Sequence, residues 1–130
     1  MKSRDALVRL KRFQAEECRR RVAQLQTMIA EFSRMTGDLD REIAHEEQRA
    51  NIADPNHFAY PTYARAARAR RDNLLRSVGD LRSQLAEAES HLKDASDELS
   101  KAQSQEARNR MLDIMPDRHG PDRREAARRV

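Results

Sequence analysis

Aromatic residues are scarce in this chain, with no Trp, three Phe and two Tyr in 130 residues, and glycine and proline number only three and four. With 37% of the residues charged and only 38% hydrophobic, a thick, multilayer core is not expected. With so few helix breakers, long uninterrupted helices are favoured. The single cysteine, Cys18, excludes an intramolecular disulfide framework and fits a reducing compartment. No run approaches the ~20 consecutive apolar residues that span a bilayer, and Met1-Lys2-Ser3-Arg4 leads into no apolar segment, so a cytoplasmic protein is expected. What is abundant is charge: 26 basic and 22 acidic residues, 37% of the chain, for a net charge of +4. That composition is close to that of a coiled coil, and the placement of the charges matters more than their small excess.

Two apolar stripes organise the chain. Val78, Leu81, Leu85, Ala88, Leu92, Ala95, Leu99 and Ala102 alternate by three and four, as do Ala15, Cys18, Val22, Leu25, Ile29, Phe32, Thr36, Leu39 and Ile43. A helix cannot bury its own stripe, so each seam needs a partner. Between them, Asp54-Pro55-Asn56-His57-Phe58-Ala59-Tyr60-Pro61 holds two of the four prolines and must interrupt the helix. The pattern predicts an all-α fold in which two long helices form an antiparallel coiled-coil hairpin over residues 1–115. Its arms span about 3–53 and 62–115, its loop 54–61, and a basic, disordered tail follows over 116–130.

Pairing the arms so that residue numbers in each layer add to 117 sets Phe32 against Leu85, Ile29 against Ala88 and Cys18 against Leu99. It also matches the charged seam residues, Glu46 with Arg71 and Lys11 with Glu106. Charge blocks agree with folding back: residues 1–24 carry +5, 25–54 −4, 55–76 +4 and 77–107 −4. Gly37 and Gly79 then fall at nearly one height, either as tolerated surface glycines or as a shared flexible level. Leu7, Leu10 and Phe13 step by threes, out of the seam.

No residue pattern supports chemistry. His45, His57, His91 and His119 are dispersed, no His/Cys pair has metal-ligand spacing, and phosphate loops and activated nucleophiles are missing. The chain is expected to be neither an enzyme nor dependent on a metal or cofactor. Candidate binding residues lie away from the seam. Arg9, Lys11, Arg12, Arg19, Arg20 and Arg21 with Arg108 and Arg110 would gather basic charge at the open end of the hairpin and suit an acidic protein surface, with Leu7, Leu10 and Phe13 beside it. Phe58, Tyr60 and Tyr63 would cap the turn or form an aromatic tip for a partner. A rival reading takes Arg65-Ala66-Ala67-Arg68-Ala69-Arg70-Arg71, followed by Val78, Leu85, Leu92 and Leu99, as a basic region feeding a zipper that binds nucleic acid. Pro61 leaves little room for such a helix, so nucleic acid is not expected. A generic coiled-coil scaffold is the third possibility.

The stretch Leu7-Val8-Arg9-Leu10-Lys11-Arg12-Phe13, Glu16-Glu17, Arg19-Arg20-Arg21 and the segment from Asp54 to Tyr63 together resemble the FliJ-type flagellar export proteins of alphaproteobacteria over about residues 2–110. The resemblance implies a cytoplasmic component of bacterial flagellum biogenesis and protein transport, peripherally associated with the inner-membrane type III export apparatus. It implies a stalk in the export ATPase hexamer, contact with the cytoplasmic domain of the export gate, and recycling of export chaperones. The open basic end would enter the ring and the tip would face the gate.

Overall fold

A computed structural model describes residues 2–114. Within them α1 runs Lys2–Ala50 and α2 runs Thr62–Ile114, and no strand forms. The fold is therefore all-α, two long helices joined by one loop, the hairpin class that the two seams require. The basic tail expected over 116–130 lies outside the described residues. The chain divides into two compact units: Met1–Cys18 with His91–Val130 (unit 1), and Arg19–Ser90 (unit 2). In each, a part of α1 pairs antiparallel with a part of α2.

Why α1 stops at Ala50, three residues short of the expected end, is visible in the backbone. Asn51 takes a left-handed φ of 57°. Its N–H donates to the Gln48 carbonyl and that of Ile52 to the Glu47 carbonyl, both at 3.2 Å. This paired closure of the last turn is the Schellman arrangement, and Asn is the residue after Gly that best tolerates the left-handed position. Asn51 thus ends the helix before Pro55 can. On the far side of the loop, the Pro61 carbonyl accepts the first helical hydrogen bond of α2 from Arg65 N at 3.0 Å.

All seventeen predicted seam residues are buried or half-buried, and Val8 extends the α1 stripe by two steps through half-buried Lys11. Unit 2 carries two clusters. Leu25, Leu81 and Ala88 gather Val22, Ile29, Phe32 and Leu85, while Leu39, Ile43 and Ala67 gather Leu74. Leu25 is the one large side chain fully buried among the described residues, so the core is a single layer of side chains. Thr36, the polar seam member, is satisfied by donating its hydroxyl to the Ser33 carbonyl at 2.7 Å.

The pairing of layers corrects the expected register by one heptad. In unit 1, Lys11 Nζ meets Glu98 Oε1 at 3.0 Å rather than Glu106. In unit 2, Arg71 Nη1 meets Asp40 Oδ1 at 3.1 Å while Glu46 pairs with Arg49 of its own helix at 3.3 Å. Those interhelical pairs have numbers adding to 109 and 111, and Ile43 and Ala67, which share a cluster, add to 110. With layers adding to 117, Lys11 and Glu98 would stand about 12 Å apart along the axis, and Arg21 and Gln84, hydrogen-bonded at 3.1 Å, about 18 Å apart. With 110 the offsets shrink to about 1.5 and 7.5 Å, within side-chain reach. The layers are then Val22 with Ala88, Leu25 with Leu85, Ile29 with Leu81 and Phe32 with Val78, and Cys18 stands level with Leu92. Phe32 and Leu85 share a cluster without sharing a layer.

A heptad shift preserves every seam residue, so the stripe alone cannot choose between the two registers; the eleven residues between Ala50 and Thr62 accommodate either. The shift also dissolves the shared glycine level, since Gly37 and Gly79 now differ by about 9 Å in height. A Cβ at Gly79 would meet nothing within 4 Å, and one at Gly37 only the end of Arg41 at 3.8 Å. Two outcomes follow. In a Cys18→Ser background, Ile29→Cys with Leu81→Cys should crosslink on mild oxidation, whereas Ile29→Cys with Ala88→Cys should not, as read on a denaturing gel. Gly79→Ala should raise unfolding stability by roughly 1 kcal/mol in urea titrations.

Candidate functional site

The core is one side chain thick, so the candidate binding groups considered among the described residues are those the helices leave outside. In unit 1 the seam positions Val8 and Ala15 face α2, and helical spacing turns Leu7, Leu10 and Phe13 away from it. These three are 39%, 49% and 57% exposed. At the other helix of the unit Met111, Leu112 and Ile114 are exposed as well. A shallow depression beside them is lined by Asp5, Val8, Arg9, Arg12, Glu106 and Arg110. There Arg110 Nη2 donates to Glu106 Oε1 at 2.7 Å. The Asp5 carboxyl lies below its ordinary range, first through its hydrogen bond with Glu106 and then through the positive charge of Arg110 and Arg9.

The predicted basic residues fall in both units. Arg9, Lys11, Arg12, Arg108 and Arg110 belong to unit 1, and Arg19, Arg20 and Arg21 to unit 2. Lys11 and Arg110 are spent on Glu98 and Glu106, and Arg21 on Gln84. Arg9, Arg12, Arg19 and Arg108 are exposed with no ion pair among the described residues.

The loop is ordered by its own polar groups. Asp54 opens it as an Asx turn, its Oδ1 accepting from Asn56 N at 2.9 Å and its carbonyl from His57 N at 3.0 Å. Next, His57 accepts from Ala59 N through Nδ1 at 3.0 Å and from Tyr60 N through its carbonyl at 3.1 Å. Phe58 is 95% exposed, its ring stacked on that of His57 at 4.7 Å between centroids.

Tyr60 departs from the expected aromatic tip. It is 4% exposed, and its hydroxyl donates to Glu47 Oε2 at 2.6 Å. The Arg65 guanidinium lies 5.5 Å from its ring centre, and Arg68 approaches the same Glu47 oxygen at 3.9 Å. Burial, followed by the hydrogen bond and charge of Glu47, pushes the Tyr60 phenol above its ordinary value. Tyr63 is 55% exposed, and its phenol is raised mainly by the charge of Glu42 and the hydrogen bond to it. Of the three aromatics, Phe58 alone stands free. Tyr60 instead locks the loop to the end of α1, a role invisible in the sequence because Glu47 lies thirteen residues away on another element.

Three of the four arginines in the basic run considered for nucleic acid are engaged within unit 2. Arg65 covers Tyr60, Arg68 faces Glu47, and Arg71 bridges Asp40 and Asp72, the Asp40 hydrogen bond holding its guanidinium more firmly protonated. Among the described residues no group of three or more His, Cys, Asp and Glu is placed to hold a metal ion, and no helix is long and apolar enough to cross a membrane.

Removing the lock should be measurable. Tyr60→Phe should cost about 1–2 kcal/mol in urea unfolding, because a hydrogen bond to a charged, half-buried acceptor is lost, and should speed amide exchange at residues 57–60. In the wild type the neutral phenol is favoured by folding, so its contribution is complete below the ordinary tyrosine pKa and declines as pH rises through the higher folded value. The variant should lack that alkaline decline. No protein-family model, curated protein or solved structure matches this chain.

Proposed function

We propose that this protein is a non-enzymatic coiled-coil component of the flagellar type III export apparatus, a stalk that couples the export ATPase hexamer to the cytoplasmic domain of the export gate and assists chaperone recycling. The observation that supports a docking role is the division of labour in the hairpin. Seam residues are consumed in pairing, while Arg9, Arg12, Arg19 and Arg108, the outward Leu7, Leu10 and Phe13, and Phe58 on its hydrogen-bonded loop stay available. The basic and apolar groups suit an acidic protein surface, and the resemblance described above supplies the identity of the two partners. Such a protein acts by binding and torque, with no bond chemistry of its own. A role on the inner-membrane export machinery, peripheral and cytoplasmic, belongs to the same reading.

A basic-region zipper is disfavoured because Arg65, Arg68 and Arg71 are occupied by Tyr60, Glu47 and Asp40. The test is direct. At low salt the purified protein should bind the cognate export ATPase and raise its hydrolysis rate. Arg19→Glu, Arg20→Glu and Arg21→Glu together should weaken that binding by roughly tenfold or more without loss of helicity, since rim charges govern encounter. If the unmodified protein neither binds the ATPase nor changes its hydrolysis, the stalk reading fails. Strong, salt-sensitive duplex binding in its place would favour the nucleic-acid reading.

A further inference from the structure

Six of the eleven large apolar residues exposed among the described residues fall in unit 1, and three of them share one face of α1. At 100° per residue Leu7, Leu10 and Phe13 occupy about 120° of arc, centred roughly opposite Val8 and turned away from α2, with Leu7 at the edge nearest the seam. Exposed Ala6, Gln14 and Ser3 fill the gaps between them, and no acid falls within the arc before Glu17. Cations edge it on both sides: Arg9 lies next to Phe13, and Arg4 and Lys11 lie beyond Leu7. Arg4 and Arg9 are exposed and make no ion pair among the described residues.

An apolar arc bordered by arginines is the pattern of a helix that lies in a membrane interface, with its apolar side chains between the lipid tails and its cations among the headgroups. We propose that the outward face of α1 over residues 3–14 docks onto an anionic lipid bilayer, in the plane of the headgroups. Charge complementarity selects this occupant. A second copy of the same face would bring Arg4 and Arg9 against their own counterparts. Lipid headgroups rearrange around a convex helix face, and their negative charge meets both cationic edges. With no helix able to cross a membrane among the described residues, the attachment is in-plane and reversible. The inference goes beyond the export reading and does not depend on it.

The test uses the full chain and vesicles of phosphatidylcholine alone or mixed with phosphatidylglycerol. Sedimentation should carry the protein down with the mixed vesicles and not with the neutral ones. Leu10→Ser with Phe13→Ser should lower partitioning roughly tenfold or more, and Arg4→Gln with Arg9→Gln about as much; Phe58→Ser should leave it unchanged. Because the protein has no Trp, Phe13→Trp introduces a single reporter whose emission should shift to the blue on mixed vesicles, while Phe58→Trp should not. All these side chains are exposed, so helicity should stay at the wild-type level in each variant. The proposal is overturned by absence of binding to mixed vesicles, or by binding that Leu10→Ser with Phe13→Ser leaves intact, which would be charge attraction through the arginines beyond Ile114. It is also overturned if that double variant loses ATPase binding while the wild type ignores vesicles, which assigns the face to an acidic protein. Failure on vesicles with normal ATPase binding sinks this inference alone.

Discussion

Each helix carries an apolar stripe that it cannot bury against itself, and everything else in the molecule follows from satisfying that constraint with one partner. Two helices in contact bury only the side chains between them. Among the described residues Leu25 is the single large one driven to full burial, and alanines at 64, 67, 88 and 102 let the backbones approach where larger residues stand across from them. Since burial of a leucine-sized side chain is worth ~2 kcal/mol, such a seam is stable through its length and not through any one residue. The side chains that the seam does not use are left facing solvent.

Register is decided by weaker forces than the seam itself. Shifting one helix by seven residues keeps the stripe intact, so the hydrophobic term nearly cancels between alternatives. What remains is the fit of large against small side chains, the reach of the loop, and charge. Arg71 illustrates the last. It sits at a seam position level with Leu39, where its aliphatic stem can pack while its guanidinium leaves the seam for Asp40 and Asp72. Lys11 does the same toward Glu98. Exposed pairs of this kind contribute less than about 1 kcal/mol each, enough to choose between near-equal registers and too little to hold them alone.

The fold was legible because its signals are local and redundant. Seventeen seam positions repeat one spacing, and the proline-bounded loop interrupts it once. The layer partners were not legible, because the rule that pairs Glu46 with Arg71 in the same layer assumes that charges meet across a layer. Here Arg71 reaches one residue beyond it and Glu46 turns to Arg49. Asn51 ended α1 ahead of Pro55 through a left-handed turn that asparagine adopts only where the following N–H groups can close back. Tyr60 looked like its neighbours Phe58 and Tyr63 as a letter in a loop. What distinguishes it is Glu47, brought to it by the fold.

That distinction sharpens what the loop can do. An aromatic ring held in water gains nothing for folding, and a flexible loop could turn it inward. Here the route inward is already taken by Tyr60, and the backbone on either side of Phe58 is committed: Asn56 and His57 to Asp54, Ala59 and Tyr60 to His57. The lock therefore does more than stabilise the turn. By burying one aromatic against the end of α1, it leaves the other outside on a backbone already held by hydrogen bonds, so that a partner engaging Phe58 would spend little entropy in ordering that backbone.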